Sequence, residues 1–82
     1  MIKLSVIIIA KNESINIYDC VKSASFADEV LVIDSGSEDD TPRLAKKAGA
    51  RVFTRKWRGY GAQKNLAIKL ARGRWKIGRA HV

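Results

Sequence analysis

Residues Val30 to Thr41 read VLVIDSGSEDDT, and this stretch decides the fold class. The apolar run Val30-Leu31-Val32-Ile33 ends on Asp34, opens into Ser35-Gly36-Ser37, and passes through Glu38, Asp39 and Asp40 to Thr41. A buried strand that stops on a carboxylate and gives way to a small polar loop is how an open α/β sheet offers polar groups to a ligand. Ligands of such sheets bind at the carboxyl ends of the strands. Thr41-Pro42 then starts a helix, with a hydroxyl cap followed by proline at the first helical position. Backbone N–H groups and their partial positive charge therefore face the same space. The layout points to a nucleotide or a phosphate-bearing substrate.

Working outward, Lys3 to Ala10 is a β-branched run suited to a strand buried on both faces, as in parallel sheets. Lys11-Asn12-Glu13-Ser14 breaks it, with Asn12 or Ser14 as N-cap of a helix in which Ile15, Tyr18 and Val21 recur at helical spacing, Ile17 and Cys20 beside them. After Thr41-Pro42, Leu44, Ala45 and Ala48 give an inner helix face and Gly49 a stop. Arg51 to Thr54 is a short third strand, Arg55 to Gly61 a loop, and Ala62 to Ala71 a third helix with Leu66, Ala67 and Leu70 inward. Gly73 ends that helix, and Trp75 starts a fourth strand. The order β-α-β-α-β-α-β with short connections predicts an α/β fold with a mostly parallel sheet and right-handed crossovers.

At 82 residues the chain is one small domain or a piece of a larger one; chains this short bury only roughly 60% of their unfolded surface. The run Leu4 to Ala10 is far short of the about 20 apolar residues a bilayer span needs. No signal-peptide cleavage pattern is present, so a cytoplasmic location is expected. Cys20 has no cysteine partner and reads as a small apolar residue. The net charge of +8 is unevenly spread: residues 1–40 hold all eight acids against three bases, whereas residues 41–82 hold thirteen bases and no acid. A basic half of this kind suits nucleic acid, an anionic membrane surface or phosphate.

Each polar residue at the strand ends has two readings. Asp34 either accepts hydrogen bonds from a base or ribose, or caps its own turn; Ser35, Gly36 and Ser37 make a small polar pocket floor beside it. Glu38, Asp39 and Asp40 suit the first turn of a helix better than a metal site. Asn12 and Glu13 lie at the end of the first strand, where a parallel neighbour brings their loop against that of Asp34; Asn12 also serves as a cap, and Lys11 as a solvated charge. Lys64, with Asn65, opens the third helix, a position unfavourable for a cation unless an anion sits there. Trp57, Arg58 and Tyr60 stack on a base or close the end of the core, and for Trp57 the core is favoured. No G-x-G-x-x-G follows the first strand and no G-x-x-x-x-G-K occurs, which argues against a dehydrogenase or a Walker-type ATPase.

Taken together, SVIIIAKNE (Ser5–Glu13), VLVIDSGSEDDT (Val30–Thr41), AGARVF (Ala48–Phe53) and WRGYGAQKNLAIKLARGRW (Trp57–Trp75) resemble the N-terminal half of family 2 glycosyltransferases. The likeness is to the bacterial branch similar to lipopolysaccharide core β-glucosyltransferases. It implies a truncated half of a GT-A, Rossmann-like nucleotide-sugar-binding domain over residues 1–75. It also implies transfer of a sugar with inversion from a nucleotide-sugar, a UDP-sugar foremost, to a glycan or lipid-linked acceptor. By position, Ala10, Lys11, Asn12 and Glu13 would line the nucleotide, Asp34, Ser35, Gly36 and Ser37 would lie at the base or ribose, and Lys64 near the diphosphate. Relatives often carry a second acid where this chain has Ser35, so that acid's contact would pass here to Asp34 or a backbone group. The family also uses a divalent cation, Mg or Mn, held by an acidic D-x-D segment shortly after the position of Trp75. No such ligands or catalytic base occur in this chain, which is therefore expected to be inactive alone.

The rival readings are a small basic nucleic-acid-binding module and a nucleotidyltransferase-like α/β domain. The first lacks a recognisable nucleic-acid motif and the second its Gly-rich basic loop, so no nucleic-acid partner is expected; association with the inner membrane surface is compatible with the basic half. Lys76-Ile77-Gly78-Arg79-Ala80-His81-Val82 fits neither a strand nor a metal motif. It can be encoded by AAG ATC GGA AGA GCA CAC GTC, which contains a widely used sequencing-library adapter, so residues 76–82 are expected to be a non-native tail. Resequencing the locus across the Trp75 codon checks this: the frame is expected to diverge there, and an intact frame ending at Val82 refutes it.

Overall fold

Val6 to Ala10 and Val30 to Ile33 are apolar on both faces, and both runs become the inner strands of a sheet. The computed structural model describes residues 2–81, with side chains through residue 78. Its elements are β1 (Leu4–Ala10), α1 (Ile17–Ser23), β2 (Glu29–Asp34), α2 (Thr41–Lys47), β3 (Arg51–Thr54), α3 (Tyr60–Leu70) and β4 (Trp75–His81). All strand pairs are parallel and the spatial order is β3-β2-β1-β4. The expected α/β order and parallel sheet are what the chain forms.

Side chains alternate across a strand, so each inner strand feeds two cores. Val6, Ile8, Ala10, Val30 and Val32 pack against Ile17, Val21 and Ala24 around α1 and against Ala45 and Ala48 around α2. Ile7, Ile9, Leu31 and Ile33 face the other way, onto Ala67 of α3 with Phe53 and Leu70 at the margin. Helices therefore cover both faces. The chain steps outward from β1 to β2 to β3, then returns past β1 to place β4 on its far side. The sheet's switch point thus lies between β1 and β4.

Three expectations need correction. First, α1 begins at Ile17, not near Ile15, which is 90% exposed. Asn12 adopts a left-handed conformation (φ 53°), and the Glu13 carbonyl accepts from the N–H groups of Asn16 (3.0 Å) and Ile17 (2.8 Å). The chain therefore completes a turn before the helix starts, and neither Asn12 nor Ser14 is its cap; Asn16 holds that position. Second, the N-cap of α2 is Asp40, and Thr41 lies inside the helix. Third, residues 76–81 do belong to a strand: β4 pairs along β1 from Leu4↔Trp75 to Ala10↔His81. That pairing is a backbone matter, satisfying the second edge of β1 with little demand on side-chain type, which is why composition hid it.

At the amino-terminal edge of the sheet, a buried carboxylate organises the connections. Glu29 accepts hydrogen bonds from the Ser5 hydroxyl (2.6 Å) and the Arg72 N–H (2.7 Å), and pairs with the Arg51 guanidinium. Burial pushes its carboxyl upward, but these three donors together outweigh burial and hold it below the usual range. Gly73 completes the cluster by donating its N–H to the Ser5 hydroxyl oxygen (2.8 Å). Beside it, Asp28 accepts from the N–H groups of Lys3 (2.8 Å) and Leu4 (2.9 Å), which lowers its pKa.

A Cβ at Gly73 would meet Ser5 Oγ at 2.5 Å and Ser5 N at 2.6 Å, so backbone must shift. Gly73→Ala is expected to destabilise the chain by about 1–3 kcal/mol, the usual range for overpacking. Gly61→Ala, inside α3 with nothing within 4 Å of the new Cβ, is expected to stabilise it by about 0.4–1 kcal/mol. Urea denaturation of the two variants checks the contrast.

Candidate functional site

Parallel pairing of β1 with β2 ends at Ala10↔Asp34, so the loops that follow both strands emerge side by side. They are joined by hydrogen bonds in both directions. The Ser35 N–H donates to the Ala10 carbonyl (2.9 Å), the Asn12 N–H to Ser37 Oγ (2.8 Å), and the Glu13 N–H to Thr41 Oγ1 (2.8 Å). The Ser14 N–H donates to Asp39 (3.2 Å), and the Asn12 side-chain oxygen accepts from the Glu38 N–H (2.8 Å). The juxtaposition of Ala10–Glu13 with Asp34–Ser37 expected from the sequence is present.

The same geometry gives several residues local partners that the sequence left open. Asp34 is buried, and its carboxylate accepts from the Gly36 N–H (3.2 Å), the Ser37 N–H (2.9 Å) and the Ser37 hydroxyl. It holds its own turn, in which Gly36 takes a positive φ of 93° that favours glycine. Thr41, fully buried, does not cap α2; its hydroxyl accepts from Glu13 and donates to Asp39. Asp39 is not a first-turn acid of α2 but a bridge between the loops. Hydrogen bonding from the Thr41 hydroxyl, then from the N–H groups of Thr41 and Ser14, lowers its carboxyl to about 2. Asp40 pairs with Arg43 on the surface (3.0 Å).

Lys64 stands elsewhere. Tyr60 to Gln63 are already helical, so Lys64 lies in the second turn of α3 and does not open the helix. Its Cε lies 3.9 Å from where a Cβ on Gly78 would be, so the side chain crosses β4 on the sheet face that α3 covers. That point is mid-strand, where Gly78 pairs with Ile7, three residues short of the carboxyl edge at which the two loops emerge. Gln63, which the sequence did not single out, is buried and ties α3 to the chain just after β2 and β3: its Nε2 donates to Ser35 Oγ (3.1 Å) and the Arg55 carbonyl (3.4 Å). Trp57 is 41% exposed and so does not close the core.

Among the described residues no group of three or more His, Cys, Asp or Glu is placed to hold a metal ion. Asp34 and Asp39 are engaged with their own loops, so they do not present a divalent-cation site. Among the described residues no helix is long and apolar enough to cross a membrane.

Paired strand-end loops beside the switch point of a parallel sheet with helices on both faces define a nucleotide-binding type of α/β domain. The chain belongs to glycosyltransferase family 2, whose family model (Glycosyl transferase family 2) matches residues 5–78. It is 43% identical over 76 residues to a glycosyltransferase of Rickettsia conorii, covering 92% of this chain and 27% of that protein. It is 35% identical to the lipopolysaccharide core biosynthesis glycosyltransferase LpsC of Rhizobium meliloti, covering 88% of this chain and 28% of the relative. Among solved structures it resembles glucosyl-3-phosphoglycerate synthase from Mycobacterium tuberculosis in complex with Mn2+, UDP and glucosyl-3-phosphoglycerate. That match has a TM-score of 0.84 at 28% identity, over 96% of this chain and 33% of the synthase. The likeness confirms the GT-A fold. The chain thus spans about a quarter of the curated relatives it matches.

Because its carboxyl is lowered to about 2 in the folded chain, Asp39 contributes stability that is fully present above the ordinary carboxylate value of 3.8 and is lost as the pH falls toward about 2. The Asp39 side-chain carbon shift is expected to titrate near that low value by NMR. In Thr41→Val the midpoint is expected to rise toward the ordinary range, with loss of amide protection at Glu13.

Proposed function

We propose that these residues form the donor-binding half of an inverting glycosyltransferase, which moves a sugar from a nucleotide-sugar to a glycan or lipid-linked acceptor. The observation that carries the reading is the locked pair of loops, Ala10–Glu13 and Asp34–Ser37, beside the β1/β4 switch point. A UDP-sugar is the donor favoured, because the synthase that shares the fold is seen with UDP; the LpsC relative favours a lipopolysaccharide-core acceptor. The enzyme would then work in the bacterial cytoplasm, peripheral to the inner membrane.

In this reading Lys11 and Asn12, both exposed at the rim, and the backbone around Ser35 and Gly36 meet the base and ribose. Asp34 keeps that wall in shape and offers its remaining acceptor capacity to the nucleotide. Lys64, on α3, supplies positive charge to the diphosphate in this reading. The divalent cation, Mg2+ or Mn2+ as in the synthase complexes, would take its ligands from a D-x-D segment outside these residues, as would the catalytic base. Residues 76–82 are proposed to stand where native sequence leading into that segment belongs.

Isothermal titration of the 82-residue chain with UDP, UDP-glucose and DNA at low and high salt tests the reading. UDP is expected to bind with weak salt dependence, and Lys64→Ala to weaken it at least about tenfold, as loss of a charge-assisted contact worth ~1.5–3 kcal/mol requires. No sugar transfer or UDP-glucose turnover is expected from this chain alone. DNA binding that falls steeply with salt, without nucleotide preference, would overturn the proposal in favour of a nucleic-acid module.

A further inference from the structure

The amino-terminal edge of the sheet, remote from the donor cleft, holds a device whose effect is felt at the other end. A parallel ladder keeps its hydrogen bonds after a slip of two residues, whereas a slip of one turns every side chain to the other face. Burial of an apolar face normally selects among the possible registers. Lys76 to His81 reads KIGRAH, with no apolar run and no strict apolar–polar alternation to do so. Yet β4 holds one register along β1, from Leu4↔Trp75 to Ala10↔His81. What distinguishes that register lies just before the strand. The Arg72 N–H (2.7 Å) and the Ser5 hydroxyl (2.6 Å) donate to Oε2 of the buried Glu29, and the Gly73 N–H donates to Ser5 Oγ (2.8 Å). The other oxygen, Oε1, takes the Arg51 guanidinium, which also donates to the Leu70 carbonyl at the end of α3 (3.3 Å).

We propose that Glu29 is a positioning residue: its carboxylate pins the α3–β4 connection against β1 and so selects which residue of β4 arrives beside Ala10 at the ligand-bearing edge. A carboxylate is the group this requires, because both of its oxygens accept and donors arrive on each. Glutamine has the same shape but one acceptor oxygen. Either Arg51 or the Ser5 and Arg72 donors would then face its NH2 group, donor against donor. The pin acts through residues that end at Gly73, so it is indifferent to the side chains that follow. That indifference accounts for the strand formed by residues 76–81. A two-residue slip would move β4 by about 7 Å along β1, and His81 would no longer stand opposite Ala10. The consequence for the donor cleft rests on the donor-site reading; the choice of register does not.

NMR of the 82-residue chain without nucleotide tests the proposal, so a failure of UDP binding leaves its outcome untouched. In the unsubstituted chain, nuclear Overhauser contacts are expected to report Leu4 beside Trp75 and Ala10 beside His81 as a single set. In Glu29→Gln a second set displaced by two residues is expected. Its β4 amides should exchange roughly ten- to a hundredfold faster, as loss of hydrogen bonds to a charged group implies. The amides of Leu31, Val32 and Ile33 should keep their original rates, which separates a shift of β4 from a general loss of stability. Ser5→Ala removes the relay to Gly73 but leaves Arg51 and Arg72 on Glu29. It should quicken β4 exchange by a smaller factor, again with β2 unchanged. A single unshifted register in Glu29→Gln overturns the proposal, whether or not β4 exchange quickens, because β4 would then at most fray. Should Glu29→Gln lose protection in β2 as well, Ser5→Ala decides: quickening confined to β4 upholds the proposal, and equal quickening in β2 and β4 overturns it.

Discussion

Glu29 is a charge taken out of water, and such a charge persists only where donors surround it. Its donors come from three parts of the chain: Ser5 on β1, Arg51 on β3, and the Arg72 backbone between α3 and β4. Satisfying one carboxylate therefore fixes where three separate segments meet. The most consequential is the last. With Arg72 and Gly73 held against Ser5 and Glu29, the Trp75 N–H reaches the Lys3 carbonyl (2.8 Å), and β4 starts alongside β1. The crevice between the two halves of the sheet exists because the chain is made to return to this edge.

At the opposite edge the polar residues serve a different purpose. Asp34, Ser37, Asp39, Thr41 and Asn12 spend hydrogen-bonding capacity on one another and on loop N–H groups. The outcome is a wall whose shape is set before any ligand arrives, and preorganisation of that kind lowers the entropy cost of binding. Gln63 carries the bracing across to α3 through Ser35. Polar residues at a strand end thus work partly by shaping the backbone that meets the ligand.

Much of this was legible in the sequence, for identifiable reasons. The β-branched runs at Leu4–Ala10 and Val30–Ile33, and the alternation of strand and helix patterns, carry the fold because burial on both faces leaves a plain compositional trace. The adjacency of the Asn12 and Asp34 loops was legible because parallel pairing forces it. The roles of Thr41, Asp39, Gln63 and Glu29 were not, since each depends on a partner 22 to 43 residues away or on a packing direction that short-range pattern does not encode. Thr41-Pro42 looked like a cap because a hydroxyl before proline usually is one; here the hydroxyl is turned toward Glu13. Lys64 was placed at a helix start because Gly59 and Gly61 read as loop, yet only Gly59 has a positive φ and Gly61 is helical. The fourth strand was expected to start at Trp75, but its continuation through residues 76–81 was not legible, because an open backbone edge recruits chain with little regard for its side chains.

The hydrogen bonds that join the two loops span at most 28 residues and lie wholly between Ala10 and Thr41, whereas the bond from Gly73 to Ser5 closes over 68. Loop-closure entropy grows with that separation, and non-local pairings form late. On a ribosome, where the chain emerges from its N-terminus, one wall of the cleft would be complete while the opposite wall is still being synthesised. The order of manufacture is thereby written into the spacing of the contacts: the loops can lock together before β4 returns to β1.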